Sequence, residues 1–73
     1  MPLRTVKSSI AGVIAHIVVV EGTRVTRDQA VVMIEIMKME IAAESPVDGV
    51  VMSIFVKPGD TIQEGQPLFS LET

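Results

Sequence analysis

Cysteine, tryptophan and tyrosine are absent, and phenylalanine occurs only at positions 55 and 69 of a 73-residue chain. Without cysteine there are no disulfides, no thiolate chemistry and none of the usual structural zinc sites. The same absence fits a reducing compartment, so a cytoplasmic location is expected. With Phe55 and Phe69 as the only aromatics, there is no platform on which bases or sugar rings could stack. Basic runs are missing as well. Six Lys and Arg against nine Asp and Glu give a formal net charge of −3, which repels a phosphate backbone and excludes nucleic acid as an expected partner. Apolar runs such as Ile17–Val20 are far shorter than a signal-peptide core or a membrane span, so no membrane association is expected.

The length allows one domain, residues 1–73, with little interior. A core of this size supplies only about 3–5 kcal/mol of net stability. An enclosed active site is therefore not expected. Nor does the sequence hold a Ser/His/Asp set or a ligand cluster. His16, the single histidine, lacks a nearby cysteine or carboxylate trio and reads as a structural or surface residue, not a metal ligand.

What the chain does have is an internal duplication. Sliding the sequence by 37 positions lays Gly12-Val13 on Gly49-Val50, Ile17 on Ile54, Val19 on Val56, Gly22 on Gly59, Gln29 on Gln66 and Glu35 on Glu72, without a gap. Val25 meets Ile62, Val31 meets Leu68, Val32 meets Phe69 and Ile34 meets Leu71, each pair keeping its chemical class. The two repeats cover about residues 1–36 and 38–73. Within each, β-branched residues cluster between glycines, which is strand behaviour with turn punctuation. The spacing predicts long strands from Gly12 to Val20 and from Gly49 to Lys57, short segments around Val25 and Ile62, and strands over Val31–Ile36 and its copy. Pro58-Gly59-Asp60 carries type II turn chemistry, and Pro67 marks a strand start or edge. No apolar stripe recurs at helical spacing, so almost no helix is expected.

One repeat cannot cover both faces of its own strands. The copies are therefore expected to pack face to face about a pseudo-two-fold axis, as an all-β flattened barrel or sandwich of two four-stranded antiparallel sheets. Met1 superposes on Lys38 in the duplication. The junction between copies and the chain ends should then lie at opposite poles.

The junction reads Glu35-Ile36-Met37-Lys38-Met39-Glu40. A lone strand or turn lysine ordinarily serves solubility or edge protection. Here two methionines bracket it, the trio falls at the midpoint of the duplication, and hairpin tips normally carry Gly, Asn or Asp. Exposed methionine at such a tip suits a surface that partners contact. Lysines that act as bases or Schiff-base nucleophiles need burial or neighbouring cations, whereas Glu35 and Glu40 supply anions. An exposed amine in this setting suits acylation by another enzyme.

Met37-Lys38-Met39 at the centre of a duplicated β-domain resembles the biotinyl domain of the biotin carboxyl carrier family (biotin/lipoyl attachment domains). The likeness extends over nearly the whole chain. Further family motifs are Gly12-Val13, Glu21-Gly22, Ser45-Pro46-Val47-Asp48-Gly49-Val50 and Pro58-Gly59-Asp60, followed by Gln63-Glu64-Gly65-Gln66-Pro67-Leu68, all in family order. The resemblance implies that a biotin protein ligase joins biotin through an amide to Lys38. It implies Met37 and Met39 as the flanks the ligase contacts, with Glu40 beside them. It further implies a non-catalytic carrier that shuttles a carboxyl group between biotin carboxylase and carboxyltransferase sites, as a monomer in isolation. Two positions depart from the family pattern. Ile36 stands where alanine is usual, and Arg27-Asp28-Gln29 replaces a turn glycine, which leaves the shape of that loop open to difference while its length is unchanged.

Two other readings remain. A lipoyl-bearing acyl carrier shares the duplicated fold, but its usual flanks are Asp before and Ala after the lysine. A non-modified sandwich interaction module would carry long helical insertions at the hairpin, and this chain has none. The charge asymmetry, with Arg4, Lys7, Arg24 and Arg27 in the first half and most carboxylates in the second, reads as solvated faces.

Overall fold

A computed structural model describes residues 2–73; the expectation placed on Met1 lies outside the described residues. Eight strands follow one another without a helix: β1 (Leu3–Lys7), β2 (Gly12–Ile17), β3 (Arg24–Val25), β4 (Ala30–Ile36), β5 (Met39–Glu44), β6 (Gly49–Ile54), β7 (Thr61–Ile62) and β8 (Pro67–Glu72). They form two four-stranded sheets, ordered β1-β8-β6-β3 and β5-β4-β2-β7, in which every pairing is antiparallel. The second order is the first with each strand replaced by its copy in the other repeat, so the duplication is a symmetry of the fold.

The repeats do not each make one sheet and stack face to face. Each sheet takes two strands from each half. The crossing explains a second difference from the sequence expectation, because the long strands stop at Ile17 and Ile54 instead of running to Val20 and Lys57. β2 belongs to one sheet and β3 to the other, so residues 18–23 must leave the first to reach the second. The Val18 N–H still donates to the Val31 carbonyl at 2.9 Å, and the Phe55 N–H donates to the Leu68 carbonyl at 2.9 Å. Val56 is buried as the chain crosses, while Val18 and Val20 are exposed.

The core is symmetric in the same way. Ile14 and Val51, Val25 and Ile62, Val31 and Leu68, Val32 and Phe69, and Ile34 and Leu71 are all buried, and each pair is related by the repeat. Turn residues follow the predicted chemistry. Gly59 has φ 93° and the Asp60 N–H donates to the Lys57 carbonyl at 3.1 Å, a type II arrangement. Pro67 opens β8, the strand-start position that proline tolerates.

The loop at Arg27-Asp28-Gln29 keeps the shape of its copy despite having no glycine. Asp28 adopts φ 73°, close to the 86° of Gly65. Aspartate tolerates the left-handed region better than most residues.

β4 and β8 run in opposite senses along a body of 37 × 18 × 17 Å. The Ser8 N–H donates to the Gln66 carbonyl at 2.9 Å, tying the start of β8 to the link that enters β2. β2 in turn pairs Val13 with Glu35, at the far end of β4. The copy of that bond, from the Ser45 N–H to the Gln29 carbonyl at 2.8 Å, ties the start of β4 to the link that enters β6. β6 then pairs Val50 with Glu72, at the end of β8. The turn after β4 and the described chain ends, where the Thr73 N–H donates to the Pro2 carbonyl at 3.1 Å, therefore lie at opposite poles.

Candidate functional site

The pole away from the chain ends is a two-residue hairpin. β4 and β5 pair continuously from Ala30↔Glu44, through a bulge, to Glu35↔Glu40 and Ile36↔Met39, which leaves Met37 and Lys38 as the whole connection. Met37 has φ 50° and Lys38 has φ 68°. Positive φ at both central residues marks a type I′ turn, whose twist matches that of the flanking strands. Asn-Gly normally fills it. For residues with larger side chains the left-handed region costs about 1–2 kcal/mol each, so the six-residue β5 ladder holds a turn that its own residues disfavour.

The base of the hairpin is supported from one side. β2 pairs with β4 up to Val13↔Glu35, and β7 closes on β2 at Gly12↔Ile62. Gly12 makes that approach possible. A Cβ placed there would sit 2.8 Å from the Glu35 carbonyl oxygen, 2.8 Å from Ile34 Cγ2 and 2.9 Å from Ile36 Cγ1. Ile36, half-buried, thus packs over Gly12 and anchors the last rung beneath the turn.

Above that rung everything faces solvent. Met37 is 90% exposed and Met39 65%, and Lys38 is exposed. Among the described residues the only approach of a basic to an acidic side chain within 4 Å is that of His16 to Glu40, and no hydrogen bond engages the Lys38 amine. An unpaired primary amine on a short, braced projection can reach into the active site of another protein and form an amide there. Among the described residues no three His, Cys, Asp or Glu side chains gather as a metal site. A groove of about 130 Å³ between residues 6–10 and 41–44 does not reach the turn.

Glu40 stands on the strand next to Lys38 but turns toward β2. Its Oε1 lies 3.9 Å from Nε2 of His16, with both side chains about half exposed. Sequence reading set His16 aside as a structural or surface residue and missed this neighbour, because the register that brings β2 and β5 onto either side of β4 is not visible in local pattern. Gly12 was legible as a strand start. Its service as the floor of the hairpin was not.

Residues 4–71 match the family described as "Biotin-requiring enzyme". Over 68 residues the chain is 34% identical to the biotin carboxyl carrier protein of acetyl-CoA carboxylase from Solanum lycopersicum, covering 93% of this chain and 97% of that one. Among solved structures, the urea carboxylase of Kluyveromyces lactis superposes with a TM-score of 0.92 at 25% identity, over 99% of this chain and 6% of that one. The lipoyl domain of the 2-oxoglutarate dehydrogenase complex from Azotobacter vinelandii superposes with a TM-score of 0.71 at 32% identity, over 86% and 80%.

Proposed function

Because the chain belongs to the family of biotin-requiring enzymes, we propose that it is a biotin carboxyl carrier domain on which Lys38 is the attachment residue. A biotin protein ligase forms an amide between the Lys38 Nζ and the valeryl carboxylate of biotin. The observation that carries this reading is the position of the amine, unpaired and exposed on a type I′ turn between two exposed methionines, at the pole opposite the chain ends.

The residues fit such a group. Acylation needs a side chain free of internal partners and backbone that will not follow the arm into a partner's site, and the ladder from Ala30 to Ile36 supplies the second. Met37 and Met39 present polarizable, adaptable thioethers to the ligase and to the carboxylase partners. Glu40, held near His16, borders that surface. When bound, biotin supplies a ureido nitrogen able to carry a carboxyl group. The chain itself contributes position: tethering raises the effective concentration of the group at the biotin carboxylase and carboxyltransferase sites, which hold the catalytic residues. The domain acts as a non-catalytic monomer in the cytoplasm, and neither its fold nor its charge calls for nucleic acid or membrane.

Likeness to a lipoyl domain supports a second reading, in which the same amine carries lipoate. The methionine flanks and the carrier-protein relative favour biotin. Co-expression with biotin ligase followed by intact mass and streptavidin blotting decides between them. Wild type is expected to gain one biotinyl group and Lys38→Arg none. An unmodified wild type under saturating ligase and biotin overturns the reading, and lipoate incorporation replaces it with the second.

A further inference from the structure

The two methionines that frame Lys38 are also the most exposed thioethers among the described residues. Met37 is 90% exposed and Met39 65%, against 43% for Met52, while Met33 is half-buried on β4. Nothing in the fold covers the first two. The positive φ of Met37 places it on the turn itself, beyond the last pair of the ladder, Ile36↔Met39.

We propose that Met37 and Met39 form a peroxide-sensitive modification site that gates use of Lys38. The inference rests on the biotin reading of Lys38 for its consequence, and on exposure alone for its chemistry. A thioether sulfur attacks one oxygen of hydrogen peroxide, an S–O bond forms and the O–O bond breaks. The sulfur loses two electrons, and the peroxide is reduced to water. The product is a sulfoxide, which thiol-dependent sulfoxide reductases convert back to the thioether. The side chain changes from flexible and apolar to polar and chiral. A partner that buries the thioethers to reach Lys38 would have to desolvate two sulfoxide oxygens, and without matching donors that burial is unfavourable.

Position makes this more than incidental damage. The core holds no methionine, so oxidation at the turn leaves the packed interior unaffected and acts on the tip alone. The sulfoxides sit on both sides of the amine, and Ile36 and Gly12 keep the root of the hairpin rigid. The modified tip therefore cannot fold away to offer a different surface.

The test treats the unmodified protein with graded hydrogen peroxide. Sulfoxide at Met33, Met37, Met39 and Met52 is assigned by fragment-ion mass spectrometry of the tryptic peptides, since cleavage after unmodified Lys38 separates the two flanks but leaves Met37 with Met33 and Met39 with Met52. Exposure predicts that Met37 and Met39 oxidise at least about threefold faster than Met33 and ahead of Met52. The initial rate of labelling by biotin ligase should fall about tenfold in step with them and recover with a methionine sulfoxide reductase. In Met37→Leu/Met39→Leu the labelling rate, whatever its starting value, should not respond to peroxide, and Met52→Leu should respond as wild type does. Oxidation of Met33 or Met52 first removes the site. Full oxidation of the flanks with unchanged labelling removes the gate. If the untreated chain takes no biotin, the biotin reading fails and the gate with it, while the order of oxidation still decides whether the site exists.

Discussion

Asp28 and Gly65 occupy equivalent turns, 37 positions apart, and the fold treats them alike. Their φ values are 73° and 86°, and their N–H groups donate over 2.7 Å to the carbonyls of Ser45 and Ser8 respectively. In each turn a glutamine closes the loop, with Gln29 Oε1 accepting from the Thr26 N–H and Gln66 Oε1 from the Gln63 N–H, both at 3.0 Å. The hydrogen bonds that link one repeat to the other thus fix the conformation, and the residue complies.

It follows that side-chain bulk at either turn is costly. A β-branched residue in the left-handed region loses about 1–2 kcal/mol. Gly65→Val and Asp28→Val are each expected to lower stability by that amount in urea unfolding, while Asp28→Gly stays within about 1 kcal/mol of wild type. A large loss in Asp28→Gly would show that the aspartate side chain, not the backbone, holds the turn.

Phe69 is the largest fully buried side chain and sits on β8, between β1 and β6. Phe69→Ala is expected to cost about 3–5 kcal/mol, which equals the whole net stability of roughly 3–5 kcal/mol available to a domain of this length. The variant should be largely unfolded at 25 °C. Retention of the β-sheet signal in far-UV circular dichroism, with cooperative melting, would contradict this account of the core.

Gly12→Ala tests the floor of the hairpin. Its Cβ would stand 2.8 Å from the Glu35 carbonyl oxygen and from Ile34 Cγ2, both held by the sheet, so overpacking should cost about 1–3 kcal/mol. Gly22→Ala meets nothing within 4 Å, and only its φ of 92° opposes the change. Crowding at the first site should also slow ligase labelling of Lys38, and backbone strain at the second should not. Equal labelling rates in the two variants would separate Gly12 from the tip.

Met37→Asn relieves a disfavoured turn. Asparagine tolerates φ near the observed 50°, so thermal unfolding should shift upward by the equivalent of up to about 1 kcal/mol. If the thioether contacts the ligase, the same variant labels more slowly. An unchanged melting temperature together with an unchanged labelling rate would assign Met37 to neither strain nor contact.

Much of this molecule was legible before any coordinates. The duplication named the core pairs, since Val32 and Phe69 or Ile34 and Leu71 could be matched by position alone, and all four are buried. Gly59 and Pro67 announced their turn and strand start. Lys38 was placed at the midpoint between repeats, and it stands on the exposed pole. These features depend on residue type and local period, which a linear text preserves.

Tertiary structure decided which strands became neighbours, and therefore everything that depends on neighbours. Both repeats contribute to each sheet, so Val18–Val20 serve as a crossing where their β-branched run suggested strand. Asp28 is left-handed because Ser45 waits for its N–H, and Met37 and Lys38 are left-handed because the β4–β5 ladder ends one rung below them. His16 meets Glu40 across an intervening strand. Apart from the hairpin, whose closing rungs join near neighbours in the chain, these are contacts between residues distant in sequence, whose free energy outweighs local conformational preference, and no inspection of local pattern contains them.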